Sequence, residues 1–219
     1  MRLFSVAAAL SDLALSVLAP PRCAACDEPI AMRSVFCRAC ASTLQAASPH
    51  DGVAIAVAPF IYGGAVATAL TRFKYEARPD LARPLSHLLL RATRTLAHDP
   101  PDVVVPVPLH PSRLAERAYN QASLLARPVA ADLHADFSPL ALARTRDTPR
   151  QAHLDRAARS QNVDGAFRVR RASHVCGRRV LVVDDVVTTG ATLAACTHAL
   201  LDAGARDVRS AVVARAELS

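Results

Sequence analysis

Apolar runs of strand length alternate with segments of helical periodicity along most of the chain. The strand candidates are VAIAVAPF from Val53, VVVPV, LALA at 140–143, RRVLVV and VRSAVVA. Alternation of strands with helices is typical of a mainly parallel sheet that is covered by helices on both faces. The pattern therefore predicts an α/β fold for residues 49–219.

Three helices are predicted between these strands. Five leucines and an alanine that share one helical face mark the first, over 81–96. The second runs from about Ser112 into the Ala126 region, and Pro128 should end or kink it. The third follows Gly190, and Gly204 is placed as its C-terminal stop. Its inward-facing residues are expected to be Leu193, Cys196 and Leu200.

The first 48 residues do not share this alternation. The opening stretch MRLFSVAAALSDLALSVLAP imitates a signal peptide, but Asp12 interrupts its apolar run and no convincing cleavage site follows. Its apolar residues share one helical face, so we interpret it as an amphipathic docking helix. A polar connection over 45–52 then leads into the α/β region. We therefore predict two domains, residues 1–48 with the leading helix and a cysteine module, and residues 49–219.

Two CxxC pairs lie ten residues apart in the first domain. They are formed by Cys23, Cys26, Cys37 and Cys40. Four thiolates suit a closed, tetrahedral structural zinc site, and we predict a zinc-ribbon-like module. A redox dithiol pair, cysteines without a metal, and an iron–sulfur cluster are the alternatives. Because so small a module cannot bury a core alone, metal binding must supply much of its folding energy.

Composition and charge exclude some protein classes. With 52% hydrophobic and 21% charged residues, the chain is neither disordered nor fibrous. The net charge is +7, and its excess is local, because residues 144–179 hold ten arginines against three aspartates. Aromatic residues make up only 4%, which disfavours a stacking platform for single strands. No stretch is apolar enough to span a bilayer, so we expect a cytoplasmic location without a membrane span.

The segment VLVVDDVVTTGAT carries the sharpest signal for a ligand site. An apolar strand leads into Asp184 and Asp185, and a turn of small residues then opens a helix. In a parallel α/β sheet, ligands bind at this carboxyl edge of the strands. Backbone N–H groups of the turn and the helix dipole can cradle a phosphate. Two adjacent carboxylates beside a phosphate call for sugar hydroxyls or Mg²⁺ as partners. No Walker motif or GxGxxG is present.

This segment resembles the signature of type I phosphoribosyltransferases, which bind phosphoribosyl pyrophosphate (PRPP). The resemblance implies that Asp184 and Asp185 hold the ribose hydroxyls as the catalytic pair. It implies that the following turn holds the 5′-phosphate, through Thr188, Thr189, Gly190, Ala191 and Thr192. Thr188 stands where purine-salvage members have an aspartate, which argues against a purine-salvage reaction.

Other segments narrow the resemblance over nearly the whole chain. PPRCAAC with FCRAC, FIYGGAVATALTRFKYE, VPVPLHPSRLAERAYNQASLLA and RTRDTPRQAHLDRAARSQNVDGAF are similar to the ComF family. That family combines a zinc ribbon with a phosphoribosyltransferase-like domain and is associated with competence and DNA uptake. The chain departs from the family pattern at Ala118, in KYEARP, which lacks the usual glycine, and at Pro128, and these departures are expected to alter local backbone shape.

Basic residues supply two further groups of candidates. The loop after an early strand binds pyrophosphate in phosphoribosyltransferases, and the pyrophosphate-loop candidates are Lys74, His110, Arg113 and Arg117. Lys74 is the single lysine in a chain that otherwise uses arginine, which favours a phosphate contact there. The Arg-rich stretch over 144–171 resembles a mobile loop that shields the reaction from water. The flexible-loop candidates are Arg144, Arg146, Gln151, Arg159 and Asn162.

Two functions follow from these residues. The first is an enzyme that binds PRPP with Mg²⁺ and transfers phosphoribosyl to an unidentified acceptor, linked to DNA uptake. The second is a catalytically silent accessory protein that senses PRPP or a nucleotide and binds single-stranded DNA. Phosphate contacts by the Arg-rich stretch would suit DNA as well as pyrophosphate. Proteins of the DNA-uptake machinery are the further candidate partners.

Overall fold

The computed structural model describes residues 21–32, 34–47, 56–146 and 165–217. Several predictions fall on residues outside these ranges. They concern the leading helix, most of the polar connection, and the loop candidates Gln151, Arg159 and Asn162. None of the helices in the described ranges is long and apolar enough to cross a membrane.

The described residues form six α-helices and seven strands. The helices are α1 (Arg38–Ala41), α2 (Gly64–Tyr75), α3 (Ala82–Thr93), α4 (Pro111–Arg117), α5 (Gln121–Asp132) and α6 (Ala191–Asp202). The strands are β1 (Phe60–Ile61), β2 (Val103–Pro106), β3 (Asp136–Phe137), β4 (Leu142–Arg144), β5 (Phe167–Val169), β6 (Arg179–Val187) and β7 (Asp207–Arg215).

Five of these strands form one parallel sheet in the order β1-β7-β6-β2-β3, while β4 and β5 pair separately and antiparallel. Alternate residues of the central strand β6 serve two cores. Leu181 and Val183 pack on the side of α2, α3 and α5, whereas Val180 and Val182 pack on the side of α6 and the β4–β5 pair. The predicted α/β fold, a mainly parallel sheet with helices on both faces, is confirmed.

The first and third predicted helices are confirmed. In α3 the leucines at positions 85, 88 and 89 are buried, and Leu81 is buried in the turn just before the helix. In α6 the three expected residues face inward and are buried. Gly204 lies two residues beyond α6 with φ of +89°, the left-handed conformation that commonly follows a helix end.

The second predicted helix is wrong in its continuity. The chain breaks into α4 and α5 because Ala118 adopts the left-handed conformation, with φ of +63°. Pro128 does not end α5, which continues to Asp132. A proline inside a helix loses one backbone hydrogen bond. Burial of Leu125 and Val129 on either side of it, against β2 and β6, compensates for that loss.

Some strands also differ from their predicted lengths. The run from Val53 contributes only β1 and a parallel bridge between Val57 and Ala211 to the described structure. The very short β3 and β5 and the helix α2 were not predicted. The RRVLVV strand continues as β6 through both aspartates to Val187, so the acidic pair lies inside the strand.

Candidate functional site

The acidic pair lies near the carboxyl end of β6, and its two side chains face different layers. Asp185 forms an ion pair with Lys74 of α2, with 2.8 Å between Nζ and Oδ1. Asp184 faces the opposite layer, towards α6. Burial raises the pKa of Cys196 in that helix, and the charge of Asp184 raises it further. The backbone N–H of Asp185 donates to Oδ1 of Asp184 over 2.9 Å. Of the two carboxyls, Asp185 is therefore the one in direct contact with Lys74.

Burial and neighbouring charges shift the pKa values of Asp184 and Lys74. Burial first, and then the charge of Asp185, raise the pKa of Asp184 to about 7, although Lys74 opposes them. Burial alone would lower the pKa of Lys74, but the charge of Asp185 outweighs it and the pKa is raised. Near neutral pH the site thus holds the charged ammonium of Lys74, and Asp184 keeps its proton to a far higher pH than an ordinary aspartate.

A tight turn follows β6 and opens α6. Gly190 occupies the N-cap position with φ of +81°, a conformation that favours glycine and brings no side chain to cap the helix. Thr189 Oγ1 accepts from the N–H of Ala191 over 3.4 Å, and Thr188 is exposed at the start of the turn. The N-terminus of a 12-residue helix and two threonine hydroxyls therefore lie directly beyond the acidic pair. This combination suits a phosphate group.

The loop after β2 lies beside the acidic pair. Pro106 pairs with Val183 of β6, and the N–H of Val107 donates to the Val183 carbonyl over 2.9 Å. The carbonyl of Val107 then accepts from Nδ2 of Asn120 over 3.0 Å. This side-chain contact ties the α4–α5 turn to the strand end next to Asp184. Asn120 therefore lies beside the strand end that adjoins the site.

The other residues proposed for this loop lie in or next to α4. His110 is the N-cap, and its Nδ1 lies 2.8 Å from Oγ of Ser112. Arg113 lies in the middle of the seven-residue helix. Arg117 is engaged on both sides, because its Nη1 donates to Gln121 Oε1 over 3.2 Å and its Cζ lies 5.0 Å from the centre of the Tyr75 ring. Lys74 lies apart from this group, in α2, where it contacts Asp185 of the acidic pair.

The β4–β5 pair brings one flexible-loop candidate to the site. The guanidinium of Arg144 lies over the Phe167 ring, 5.5 Å from its centre, and its charge opposes the rise in the pKa of Asp184. Arg146 follows β4 near the end of a described range. Arg144 thus approaches the acidic pair from the layer opposite Lys74.

The local excess of positive charge is divided between two ends of the sheet. Arg178 and Arg179 lie at the start of β6, the end opposite the acidic pair. Arg178 pairs with Asp136 over 2.7 Å, and Arg179 pairs with Asp99 over 2.5 Å and with Asp102 over 2.7 Å. This part of the positive excess therefore does not lie beside the phosphate site.

The four cysteines of the CxxC pairs come together. Their Sγ atoms all lie within 4.8 Å of one another, and those of Cys26 and Cys37 are 3.7 Å apart. A tetrahedral zinc ion with Zn–S bonds of about 2.3 Å needs sulfur atoms about 3.8 Å apart. The N–H of Cys40 donates to Sγ of Cys37 over 3.5 Å, and burial of Cys23 is outweighed by backbone hydrogen bonds that lower its pKa to about 6. Burial and the three neighbouring thiols raise the pKa of Cys40 instead, so the fit to zinc rests on donor type and spacing.

The cysteine module is docked on α2. Cys23, Ala24 and Phe36 are buried in the same core as the apolar face of that helix. Asp27 accepts an ion pair from Arg72 of α2 and another from Arg78, whose Nη1 lies 3.2 Å away. Hydrogen bonding to Arg72 holds the pKa of Asp27 below its ordinary value. Sequence reasoning missed this ion pair, because nothing in the CAACDE motif identifies a partner in a distant helix.

Comparison with known proteins agrees with this geometry. A family model described as phosphoribosyl transferase domain matches residues 74–217. The DNA utilization protein YhgH of Escherichia coli strain K12 is 38% identical over 152 residues, which cover 68% of this chain and 66% of that relative, slightly under two thirds of its length.

A second relative aligns over more of the chain. Competence protein F of Haemophilus influenzae is 30% identical over 207 residues, which cover 89% of this chain and 90% of that protein. Among solved structures, one described as the allosteric regulatory enzyme of purine biosynthesis is 23% identical with a TM-score of 0.45. The alignment covers 65% of this chain and 29% of that one.

Proposed function

Since this chain belongs to the phosphoribosyl transferase domain family, and within it to the ComF family, we propose that it binds PRPP and transfers phosphoribosyl to an acceptor. The observation that carries the proposal is the acidic pair of β6, followed directly by the N-terminus of α6. The carboxyl groups that can accept from hydroxyls are thus separated from the phosphate cradle only by the turn between β6 and α6, which matches a ribose 5-phosphate group.

Each part of the site has a role in this reaction. Asp184 and Asp185 hold the ribose hydroxyls, and the turn from Thr188 to Thr192 holds the 5′-phosphate. His110, Arg113 and Arg117 follow β2, which pairs with β6 as far as Val183, and we assign them to the pyrophosphate. The bond from ribose C1 to pyrophosphate breaks as the bond to the acceptor forms. Arg144 adds positive charge from the layer opposite Lys74.

The carboxyl groups of the site fit Mg²⁺ as well as ribose. Mg²⁺ prefers oxygen ligands and commonly uses one or two carboxylates together with substrate phosphates. Asp184 and Asp185 offer such oxygens at the sheet edge, although Lys74 already contacts one of them. When bound, Mg²⁺ would neutralise negative charge on the pyrophosphate leaving group. The protein's own residues hold and orient the sugar.

Titration calorimetry with PRPP and Mg²⁺ tests the proposed ligand. We expect binding by the wild-type chain and at least tenfold weaker binding by Asp185→Asn, because the neutral amide is a weaker hydroxyl acceptor than a carboxylate. Release of pyrophosphate from PRPP in the presence of a nucleobase and amine panel then tests transfer. Absence of PRPP binding would overturn the proposal, and binding without turnover on every acceptor would favour the sensing function.

Single-stranded DNA is the second proposed ligand. The curated relatives are named for DNA utilization and competence, and we propose that this chain also acts in DNA uptake. Exposed arginines at positions 168, 170 and 171 lie on or just after β5, on the same layer as Arg144. Because Arg178 and Arg179 are ion-paired at the other end, these exposed residues are the better candidates for phosphate contacts.

Fluorescence anisotropy with a single-stranded oligonucleotide at several salt concentrations tests this contact. Arg168→Gln combined with Arg170→Gln should weaken binding and reduce its salt dependence, because two phosphate contacts are lost. Arg91→Gln, an exposed arginine of α3 on the other side of the sheet, is the matched control. A salt-insensitive affinity, or equal losses in both variants, would count against DNA binding on this layer.

A further inference from the structure

Lys74 contacts the acidic pair of the candidate site directly. It lies one residue before the end of α2, and its ammonium contacts Asp185 at 2.8 Å. Its side chain is 21% exposed and that of Asp185 is 9% exposed, so the contact is largely shielded from water. An ion pair in this setting is screened much less than one on the surface.

The residues on either side of Lys74 are fixed by the α4–α5 turn. The hydroxyl of Tyr119 donates to the carbonyl of Phe73, and the two rings lie 5.7 Å apart. The guanidinium of Arg117 lies over the ring of Tyr75. Carbonyls in the last turn of a helix have no partner within the helix, so the Tyr119 contact holds an end that would otherwise fray.

The cysteine module fixes the same helix end from another side. Arg72, two residues before Lys74, donates to Asp27 and to the carbonyl of Ala24, the latter over 3.2 Å. It also contacts Glu76 over 3.1 Å. Contacts from two separate parts of the chain therefore hold the backbone that carries the ammonium, and its position relative to Asp185 is set before any ligand arrives.

We infer that Lys74 is a positioning residue, which fixes the carboxylate of Asp185 to receive ribose hydroxyls and makes no contact with pyrophosphate. The inference rests on the proposed function and names the part of the ligand that depends on Lys74. The ammonium contacts Oδ1 of Asp185, so the carboxylate is oriented, and we assign Oδ2 to the ribose hydroxyl. The α4 residues, in contrast, follow β2 and carry the pyrophosphate contacts.

Binding of three probes with Mg²⁺ separates positioning from a phosphate contact. The probes are PRPP, ribose 5-phosphate and inorganic pyrophosphate, measured by calorimetry on the full chain. For Lys74→Met we expect at least tenfold weaker binding of PRPP and of ribose 5-phosphate, and a change of less than twofold for pyrophosphate. For Arg113→Met, the matched basic residue on α4, we expect the opposite preference, with pyrophosphate weakened and ribose 5-phosphate spared.

The outcomes distinguish this inference from the function on which it rests. If the wild-type chain binds none of the probes, the proposed function is overturned and the inference with it. If the wild-type chain binds but Lys74→Met loses pyrophosphate affinity, the inference alone is overturned. A ligand-free test covers a variant that folds poorly. In urea unfolding, the double variant Lys74→Met/Asp185→Asn should unfold closer to wild type than Lys74→Met does, because no buried charge is left without its partner. Additive losses would contradict the pair.

Discussion

At the scale of single residues, two alanines hold a backbone conformation that glycine adopts more easily. Ala77 has φ of +50° and Ala118 has φ of +63°. Both belong to segments in which the chain departs from the ComF pattern of glycine. The departures were expected to alter local backbone shape, yet the backbone keeps the left-handed conformation and the alanines bear its cost.

Replacing one of these alanines should stabilise the protein. We expect Ala118→Gly to raise the free energy of unfolding by about 0.5–1 kcal/mol, because relief of left-handed strain exceeds the entropy cost of glycine. Ala115→Gly, at an exposed position inside α4, is the control and should cost up to about 1 kcal/mol. Urea denaturation monitored by circular dichroism measures both, and a loss of stability in Ala118→Gly would contradict the prediction.

Asp184 illustrates a conflict between stability and function. Its pKa is raised to about 7 by burial and by Asp185, whereas an unfolded aspartate titrates near about 3.9. The folded state binds this proton more tightly, so the contribution of Asp184 favours folding below about pH 4 and is lost as the pH rises through about 7. Asp184→Asn keeps the hydrogen-bond acceptor for the Asp185 N–H without a charge.

We therefore expect Asp184→Asn to melt at a higher temperature than wild type at pH 8, and the difference to shrink towards pH 5. PRPP binding should weaken in the same variant, because a ribose acceptor is lost. Differential scanning calorimetry across this pH range measures the first effect. A variant that is less stable than wild type at pH 8 would show that the charge of Asp184 does not destabilise the folded protein at that pH.

At the scale of elements, the sequence predicts what is long and strongly patterned. The strand β6 and the helices α3 and α6 follow directly from apolar periodicity. The strands β3 and β5 have only two and three residues, too few for a period to be visible. The helix α2 begins at Gly64, directly after Gly63, and these two glycines weaken its helical signal, although its apolar positions recur at helical spacing.

The candidate site divides in the same way. The acidic pair, the turn before α6 and the four cysteines are contiguous motifs, so their residue types and spacing identify them. The contacts of Lys74 with Asp185 and of Arg72 with Asp27 join residues far apart in the chain. Such contacts depend on how α2 packs against the sheet and the cysteine module, and no local pattern encodes that packing.

The docking of the cysteine module on α2 depends on a close approach at Gly64. This residue has φ of +48°, and a Cβ atom there would lie 2.5 Å from the Thr43 carbonyl oxygen. The N–H of Ala65 donates to the Thr43 hydroxyl over 2.9 Å. Gly64→Ala should therefore cost about 2–4 kcal/mol of unfolding free energy, from backbone strain and overpacking together.

Gly63 offers a matched control for this substitution. It has extended backbone, and a Cβ atom there would meet nothing within 4 Å. Gly63→Ala should change the unfolding free energy by less than about 0.5 kcal/mol, as is usual for a surface substitution without special contacts. Equal losses in the two variants, measured in the same urea titration, would show that the contact with Thr43 is not what requires glycine.

At the scale of the whole molecule, the cysteine module and the parallel sheet share one core. The domain boundary near residue 48 stays a prediction. Cys23, Ala24 and Phe36 are buried together with the apolar face of α2, which packs against the sheet. Thermal cooperativity usually follows shared buried surface rather than sequence boundaries. We therefore expect the two predicted domains to unfold together in a single transition.

Metal removal tests this expectation. Cys37→Ser should release zinc and lower the Tm of the entire chain by on the order of 10 °C, because metal binding contributes folding energy to a module that is part of the core. Cys176→Ser, an exposed cysteine outside the cluster, should leave zinc content and Tm unchanged. Calorimetry and a colorimetric zinc assay on the same samples measure both quantities. Two separate transitions in wild type, with only the smaller one lost in Cys37→Ser, would mean that the sheet is stable without the metal and that the shared core adds little.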